Sequence, residues 1–357
     1  MDLDERMPAR KNREQFWQAI RGICIISVVL IHCRLGADFK DAGVWSFNYH
    51  YWLILRQFVD FPVAFFMFLA GYFINIKGAS AQPWQFISGR AQRIVIPYLV
   101  WSVFYLVLQI NLGNIMSFKT IAYKLATGDA YIQLYFVIAL LQLVIITPLL
   151  IKCMRHSFLN LVCLCITPVY LIWLYLYCFV YHQQFPLYLT LFPAWLIFYY
   201  LGMKFRRYKL ETRSDLPGND LLNAGLLAAA ALLSSCIECY YLLAKGHCTF
   251  FAVSQVKISS FLYAAAVIHY FFVIRRYSPG APPLLVKLGD YSFGIFFIHP
   301  FFLVVIDKVL SWFPIFCACL IGVHLIQLVG ALFLSYYAVV IARSILGEKP
   351  ARQWLGF

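Results

Sequence analysis

Arg21 and His32 stand eleven residues apart in the apolar stretch AIRGICIISVVLIHC, residues 19–33. An imidazole can take or give a proton near neutral pH, and a guanidinium carries a permanent charge in a fork that suits anions. Eleven helical residues rise about 16.5 Å and turn about 1100°, so the two side chains fall within about 20° of one helix face yet half a bilayer apart. Taken singly, Arg21 reads as an interfacial anchor snorkelling to headgroups and His32 as a hydrogen-bonded interior residue. Their shared face points to the lining of a cavity.

Further polar groups sit where apolar runs begin or bend. Arg90 and Arg93, spaced i, i+3 ahead of the run containing Pro97, share one side of a helix start. Asp60 lies a few residues into the second apolar run, at a depth that can match His32. It is expected either to orient His32 by accepting a ring proton or to pair with Arg56 at i, i+4. Gly71 is expected to let two helices approach closely, with Tyr72 offering its hydroxyl to a polar cavity. His299 precedes Pro300, whose missing N–H frees a backbone carbonyl that the imidazole can satisfy. Glu238, Lys257, His269 and His324 are other polar groups within apolar runs, each more often a paired structural residue than a pathway lining.

The elements that must position these groups are membrane helices. Hydrophobic residues make up 63% of the 357 and charged ones only 12%, far outside the range of a water-soluble globular chain. Apolar runs near 17–35, 53–76, 94–110, 131–151, 158–180, 187–203, 221–244, 252–274, 291–310 and 315–342 predict about ten spans, each too long for a barrel strand. The fold class expected is all-α, a polytopic transmembrane helix bundle. Residues 1–16 and 344–357 read as tails flanking a single membrane domain at 17–343. The start MDLDERMPARKNREQ is charged on both signs and has no small-residue cleavage site behind it, which argues against a cleaved signal peptide.

With an inner N-terminus, 21 of the 29 basic residues fall in inner segments, and Arg34, Lys40, Arg56, Lys119, Lys124, Lys245, Lys257 and Lys308 lie in or near outer loops. The positive-inside rule then puts both termini in the cytoplasm. The formal charge of +14 is mostly this topology signal and contact with anionic lipid, with no nucleic-acid footprint. The eleven cysteines lack zinc-ligand spacing and read as packing residues, so no metal site is expected. No G-x-S-x-G nucleophile elbow occurs.

Arg21-Gly22 with His32, FPVAFFMFLAGYFI at 61–74, RAQRIVIPYLVWSVFY at 90–105 and LGDYSFGIFFIHPFFL at 288–303 together resemble the acyltransferase-3 family, in order and approximate spacing and over essentially the whole chain. That family comprises integral-membrane acyltransferases of bacterial surface glycans. The resemblance implies a multi-pass protein of the bacterial inner membrane that takes an acyl group, with acetyl expected, from cytoplasmic acyl-coenzyme A. The group would pass to a sugar hydroxyl of a surface polysaccharide or glycolipid, with no permanently bound cofactor. It implies His32 as the catalytic residue, by direct transfer or through a transient acyl-histidine, and Arg21, Arg90 and Arg93 at the phosphate-bearing donor. The family more often carries serine where this chain has Ala70, so a hydroxyl there is missing. The rival reading is a transporter or flippase of a lipid-linked sugar or small metabolite, in which Arg21 and His32 would line a substrate or proton path.

Overall fold

The computed structural model describes residues 3–33, 46–208, 220–277, 280–313 and 320–357, with side chains from Gln15 onward. Arg34, Lys40, Lys209 and Arg213, the side chains of Arg6, Arg10, Lys11 and Arg13, and the start of the last expected span lie outside the described residues.

Among the described residues the chain is mostly helical, with no strand. Among the described residues, nine helical segments are long and apolar enough to cross a membrane: Gln15–His32, Phe47–Tyr72, Pro83–Asn111, Tyr135–Cys153, Ser157–Tyr181, Asp220–Ala244, Ile258–Tyr277, Ser292–Leu310 and Leu320–Leu346. The first belongs to a longer helix, α1 (Leu3–His32), so the expected N-terminal tail is largely a helical extension of the first span.

The second crossing is a broken rod. Helices α2 (Phe47–Phe58) and α3 (Pro62–Tyr72) meet at Val59–Phe61, with Pro62 at the first turn of α3, where its missing N–H costs nothing. A break inside hydrocarbon strands backbone groups that other parts of the protein must satisfy. The helix Ile258–Tyr277 does so: Tyr263 donates to the Phe58 carbonyl at 2.9 Å and Ser260 to Asp60 at 3.2 Å. Just ahead of that helix, the fully buried Lys257 donates to Gln57 at 2.7 Å.

The sixth expected span, 187–203, departs from a regular helix. Pro186 precedes it and Pro193 interrupts it, leaving a short 3-10 turn at Phe192–Ala194 and a helix of only 13 residues, Leu196–Tyr208. That helix still packs tightly. A Cβ added at Gly71 would stand 2.0 Å from the Tyr199 carbonyl oxygen, and one at Gly202 would stand 2.1 Å from that of Phe68. The expected close approach at Gly71 is thus reciprocal. A second such pair sets α1 against the helix Pro283–Asp290: a Cβ at Gly22 meets the Leu285 carbonyl oxygen at 2.2 Å, and one at Gly289 meets that of Gln18 at 1.8 Å.

Side chains such as Leu161, Ile172, Leu176, Leu226, Leu233, Ile237, Val329 and Phe333 leave apolar faces exposed, as a lipid-facing surface requires. The last segment folds back instead of trailing free. Trp101 donates from Nε1 to the Leu355 carbonyl at 3.0 Å, and Phe357 is 3% exposed against Trp101 and Gly294.

Candidate active site

His32 closes the last turn of α1 and lines a cavity of about 700 Å³. Trp52 and Arg56 come to its wall from α2, Phe66 from α3, Gln133 from the turn ahead of the helix Tyr135–Cys153 and Tyr135 and Phe136 from its start, Tyr188 from the irregular sixth segment, and Gln255 from the turn before Ile258. Arg56 donates from Nη1 to the carbonyl of Ile31, at 3.1 Å, so its guanidinium sits beside the imidazole. On the far side stands His299, fully buried, its ring centroid 5.3 Å from that of His32. His299 Nδ1 donates to the Ile295 carbonyl at 2.9 Å, which fixes its tautomer and leaves Nε2 as an acceptor. That Nε2 and Nδ1 of His32 are both buried and have no hydrogen-bond partner among the described residues.

Arg21 opens on a second, smaller chamber of about 220 Å³, which Arg90, Leu69, Ala70, Phe73 and Ser292 also line. Arg21 donates to Gln18 at 3.3 Å, and Arg90 to the Phe73 carbonyl at 3.3 Å while lying over the Phe86 ring. Phe66, Phe136 and Phe296 line both the chamber and the larger cavity. These three rings form a collar: Phe66 meets Phe136 edge to face at 6.3 Å, and Phe136 meets Phe296 at 5.5 Å. Beyond Phe73, which it shares with the chamber, lies a basic basin of about 860 Å³ walled by Lys77, Arg155, Arg206 and Arg207.

The structure therefore places Arg21 and Arg90 on one cavity and His32 on the adjoining one, with His299 packed against the His32 ring. Other expected residues stand off these walls. Arg93, one turn beyond Arg90, is exposed and outside the chamber. Tyr72 is fully buried among Trp17, Phe68 and Phe272, under the Arg206 guanidinium and outside all three cavities; its ring packs instead of presenting a hydroxyl to a cavity. The expected hydrogen bond between Asp60 and His32 is not made, because Ser260 holds Asp60 at the helix break and Arg56 turns to Ile31. Ala70 does face the chamber, so the missing hydroxyl is one that would have looked onto it. Glu238 accepts from Tyr175 and Ser259, and His269 is exposed. Arg56, Gln133, Gln255 and the collar were not singled out for the site from the sequence, although a lone arginine inside an apolar run was a legible signal for Arg56.

A multi-pass helical bundle with adjoining interior cavities, one lined by guanidinium groups and the other by an imidazole, is an architecture suited to an integral-membrane protein that works on a molecule held inside it. The family model described as an acyltransferase domain matches residues 14–346, and the chain belongs to that family, acyltransferase-3. It is a membrane acyltransferase. No curated protein and no solved structure matches it.

Proposed function

We propose that the protein moves an acyl group, acetyl in the simplest case, from acyl-coenzyme A at its basic end to a hydroxyl of a surface polysaccharide or glycolipid sugar held in the His32 cavity. The basic end faces the cytoplasm and the His32 cavity opens toward the outer side of a bacterial inner membrane. One observation carries the reading: a guanidinium-lined chamber and an imidazole-lined cavity meet at a shared collar of three phenylalanines.

Each part has a task that follows from its chemistry. Lys77, Arg155, Arg206 and Arg207 match the phosphates of a nucleotide-bearing donor, and Arg21 and Arg90 match anionic or carbonyl oxygens nearer the collar, since charge-assisted bonds to guanidinium are short and strong. The pantetheine arm must then cover the helical rise of about 16.5 Å from Arg21 to His32. At the collar the thioester carbonyl meets the acceptor. His32 takes the proton of the attacking hydroxyl, its oxygen bonds to the carbonyl carbon, the carbon–sulfur bond breaks, and the departing thiolate leaves protonated. Arg56 stands beside His32 and suits the oxyanion that forms between those two events. His299 is a positioning residue for His32. A dry collar also limits the competing attack by water.

The test uses protein purified in lipid nanodiscs with radiolabelled acetyl-coenzyme A and membrane glycolipid as acceptor. Release of coenzyme A together with a base-labile acetyl group on sugar is expected, and both fall to background in His32→Ala. Thiol release that His32→Ala leaves untouched overturns the assignment.

A further inference from the structure

Beyond the place given to Arg56 beside the oxyanion, the wall of the His32 cavity carries polar groups that the mechanism above does not use. Gln133 is 1% exposed, and neither its Oε1 nor its Nε2 has a hydrogen-bond partner among the described residues. Gln255 is 9% exposed, and its Oε1 is likewise without one. Arg56 spends Nη1 on the Ile31 carbonyl, while its Nε stays buried and unbonded. Buried amides that lose water without gaining a partner are costly, and native structures rarely keep several on one wall unless something binds there.

The chemistry of the wall selects the occupant. Two amide oxygens accept, while the Gln133 amide nitrogen and the Arg56 Nε donate, so the complement must offer both roles at several points. Hydroxyl groups do. Among the described residues that line this cavity there is no lysine, aspartate or glutamate and Arg56 is the one arginine, a lining that suits a neutral ligand better than a phosphorylated headgroup. Trp52, Tyr135 and Tyr188 supply flat apolar faces whose negative π-clouds favour the C–H face of a saturated ring. A volume of about 700 Å³ lies in the range of small-molecule sites.

We infer that Gln133, Gln255 and Arg56 form a pyranose subsite, and that it presents one ring hydroxyl of the acceptor to His32. The inference rests on the proposed acyl transfer and supplies its acceptor side: the sugar is read by two amides from the loops before residues 135 and 258, with the aromatic faces as its floor.

The probes are hexyl pyranosides of glucose, galactose, mannose and N-acetylglucosamine, each carrying a terminal diazirine, photolysed on nanodisc protein and mapped by mass spectrometry. Labelling by at least one probe is expected in the segments carrying Gln133 and Gln255, competed by the matching unlabelled glycoside. Gln133→Leu and Gln255→Leu are each expected to cut it about ten-fold, with Gln133→Asn retaining more than Gln133→Leu. Titration with coenzyme A, expected to stay within two-fold of wild type in these variants, reports that the bundle is intact. Labelling confined to lipid-facing helices in wild type, or undiminished in both leucine variants, overturns the subsite. Wild-type protein that labels in the cavity but does not bind coenzyme A would instead overturn the donor half of the proposed function and leave the subsite standing.

Discussion

The ring of His299 stands 5.3 Å from that of His32, tilted by 37°, and its Nδ1–H is committed to the Ile295 carbonyl. A backbone carbonyl only accepts, so the proton is on Nδ1, and Nε2 of His299 is a buried acceptor on the ring adjoining His32. Nδ1 of His32 is likewise buried and without a partner among the described residues, so the two rings adjoin without a hydrogen bond between them. On the proposed function, an Nδ1 proton held toward the His299 ring would leave Nε2 of His32 as the basic nitrogen.

This arrangement ranks three variants. Loss of the base in His32→Ala is expected to lower transfer by about 10²–10⁴-fold, the usual range for general acid–base catalysis. His299→Ala should lower it by about ten-fold, and His299→Gln, whose amide oxygen still accepts, should recover part of that loss. Initial rates of coenzyme A release across pH separate positioning from packing, because only a change in the His32 tautomer alters the profile's shape as well as its height. A His299→Ala enzyme with the wild-type rate and profile would remove His299 from the site.

The two arginines ahead of Pro97 are expected to behave differently. Arg90 lines the inner chamber and Arg93 is exposed beyond it. A hydrogen bond to a charged group contributes about 1.5–3 kcal/mol, so Arg90→Ala should raise KM for acyl-coenzyme A by roughly ten- to a hundred-fold. Arg93→Ala should change it by less than about three-fold, as an exposed charge in salt solution would. Equal effects in a donor titration would mean that the donor approaches from outside the chamber.

What was legible in the sequence follows from helical geometry and from the family-like blocks. The 3.6-residue period relates Arg21 to His32 because both lie on one helix, and the structure keeps them on adjoining cavities. The same period sets Arg93 about 60° around the helix from Arg90, and the structure leaves it exposed and off the chamber wall. Hydropathy found the apolar content of 187–203, but Pro186 and Pro193 decide that only Leu196–Tyr208 is a full helix. Gln133 and Gln255 sit in irregular connections more than a hundred residues apart, where no period operates. The three collar phenylalanines come from three different helices among 33 phenylalanines in the chain. Their meeting is a property of packing, which local pattern does not encode.

Two reciprocal glycine pairs give a stability prediction with a built-in control. A methyl group at Gly71 or Gly22 would stand 2.0 or 2.2 Å from a facing backbone carbonyl oxygen, so a helix must move. Overpacking of this kind costs about 1–3 kcal/mol. Gly71→Ala and Gly22→Ala should therefore lower the unfolding midpoint in detergent, whereas Gly89→Ala, with nothing within 4 Å of its new methyl, should hold or slightly raise it. Fluorescence-detected size-exclusion after heating reads all three. A Gly71→Ala midpoint equal to that of Gly89→Ala would show that the contact between α3 and Leu196–Tyr208 yields easily.

The collar makes the most specific demand on kinetics. Phe136 touches both Phe66 and Phe296, and aromatic contacts of this type are worth about 0.5–1.5 kcal/mol each, so parting the rings costs about 1–3 kcal/mol. Thermal motion reaches such an opening easily, and on the proposed function it would let a thioester through while keeping bulk water out for most of the time. Phe136→Ala removes both contacts at once. Coenzyme A release should then outrun sugar acylation several-fold as water reaches the thioester, and acyl chains longer than acetyl should become better donors. Phe136→Tyr keeps the ring and should hold both ratios near wild type. The decisive measurement is the quotient of thiol released to O-acyl product formed, taken on the same sample with acetyl and butyryl donors. If that quotient and the chain-length preference stay fixed in Phe136→Ala, the rings only pack, and the thioester meets its acceptor elsewhere in the bundle.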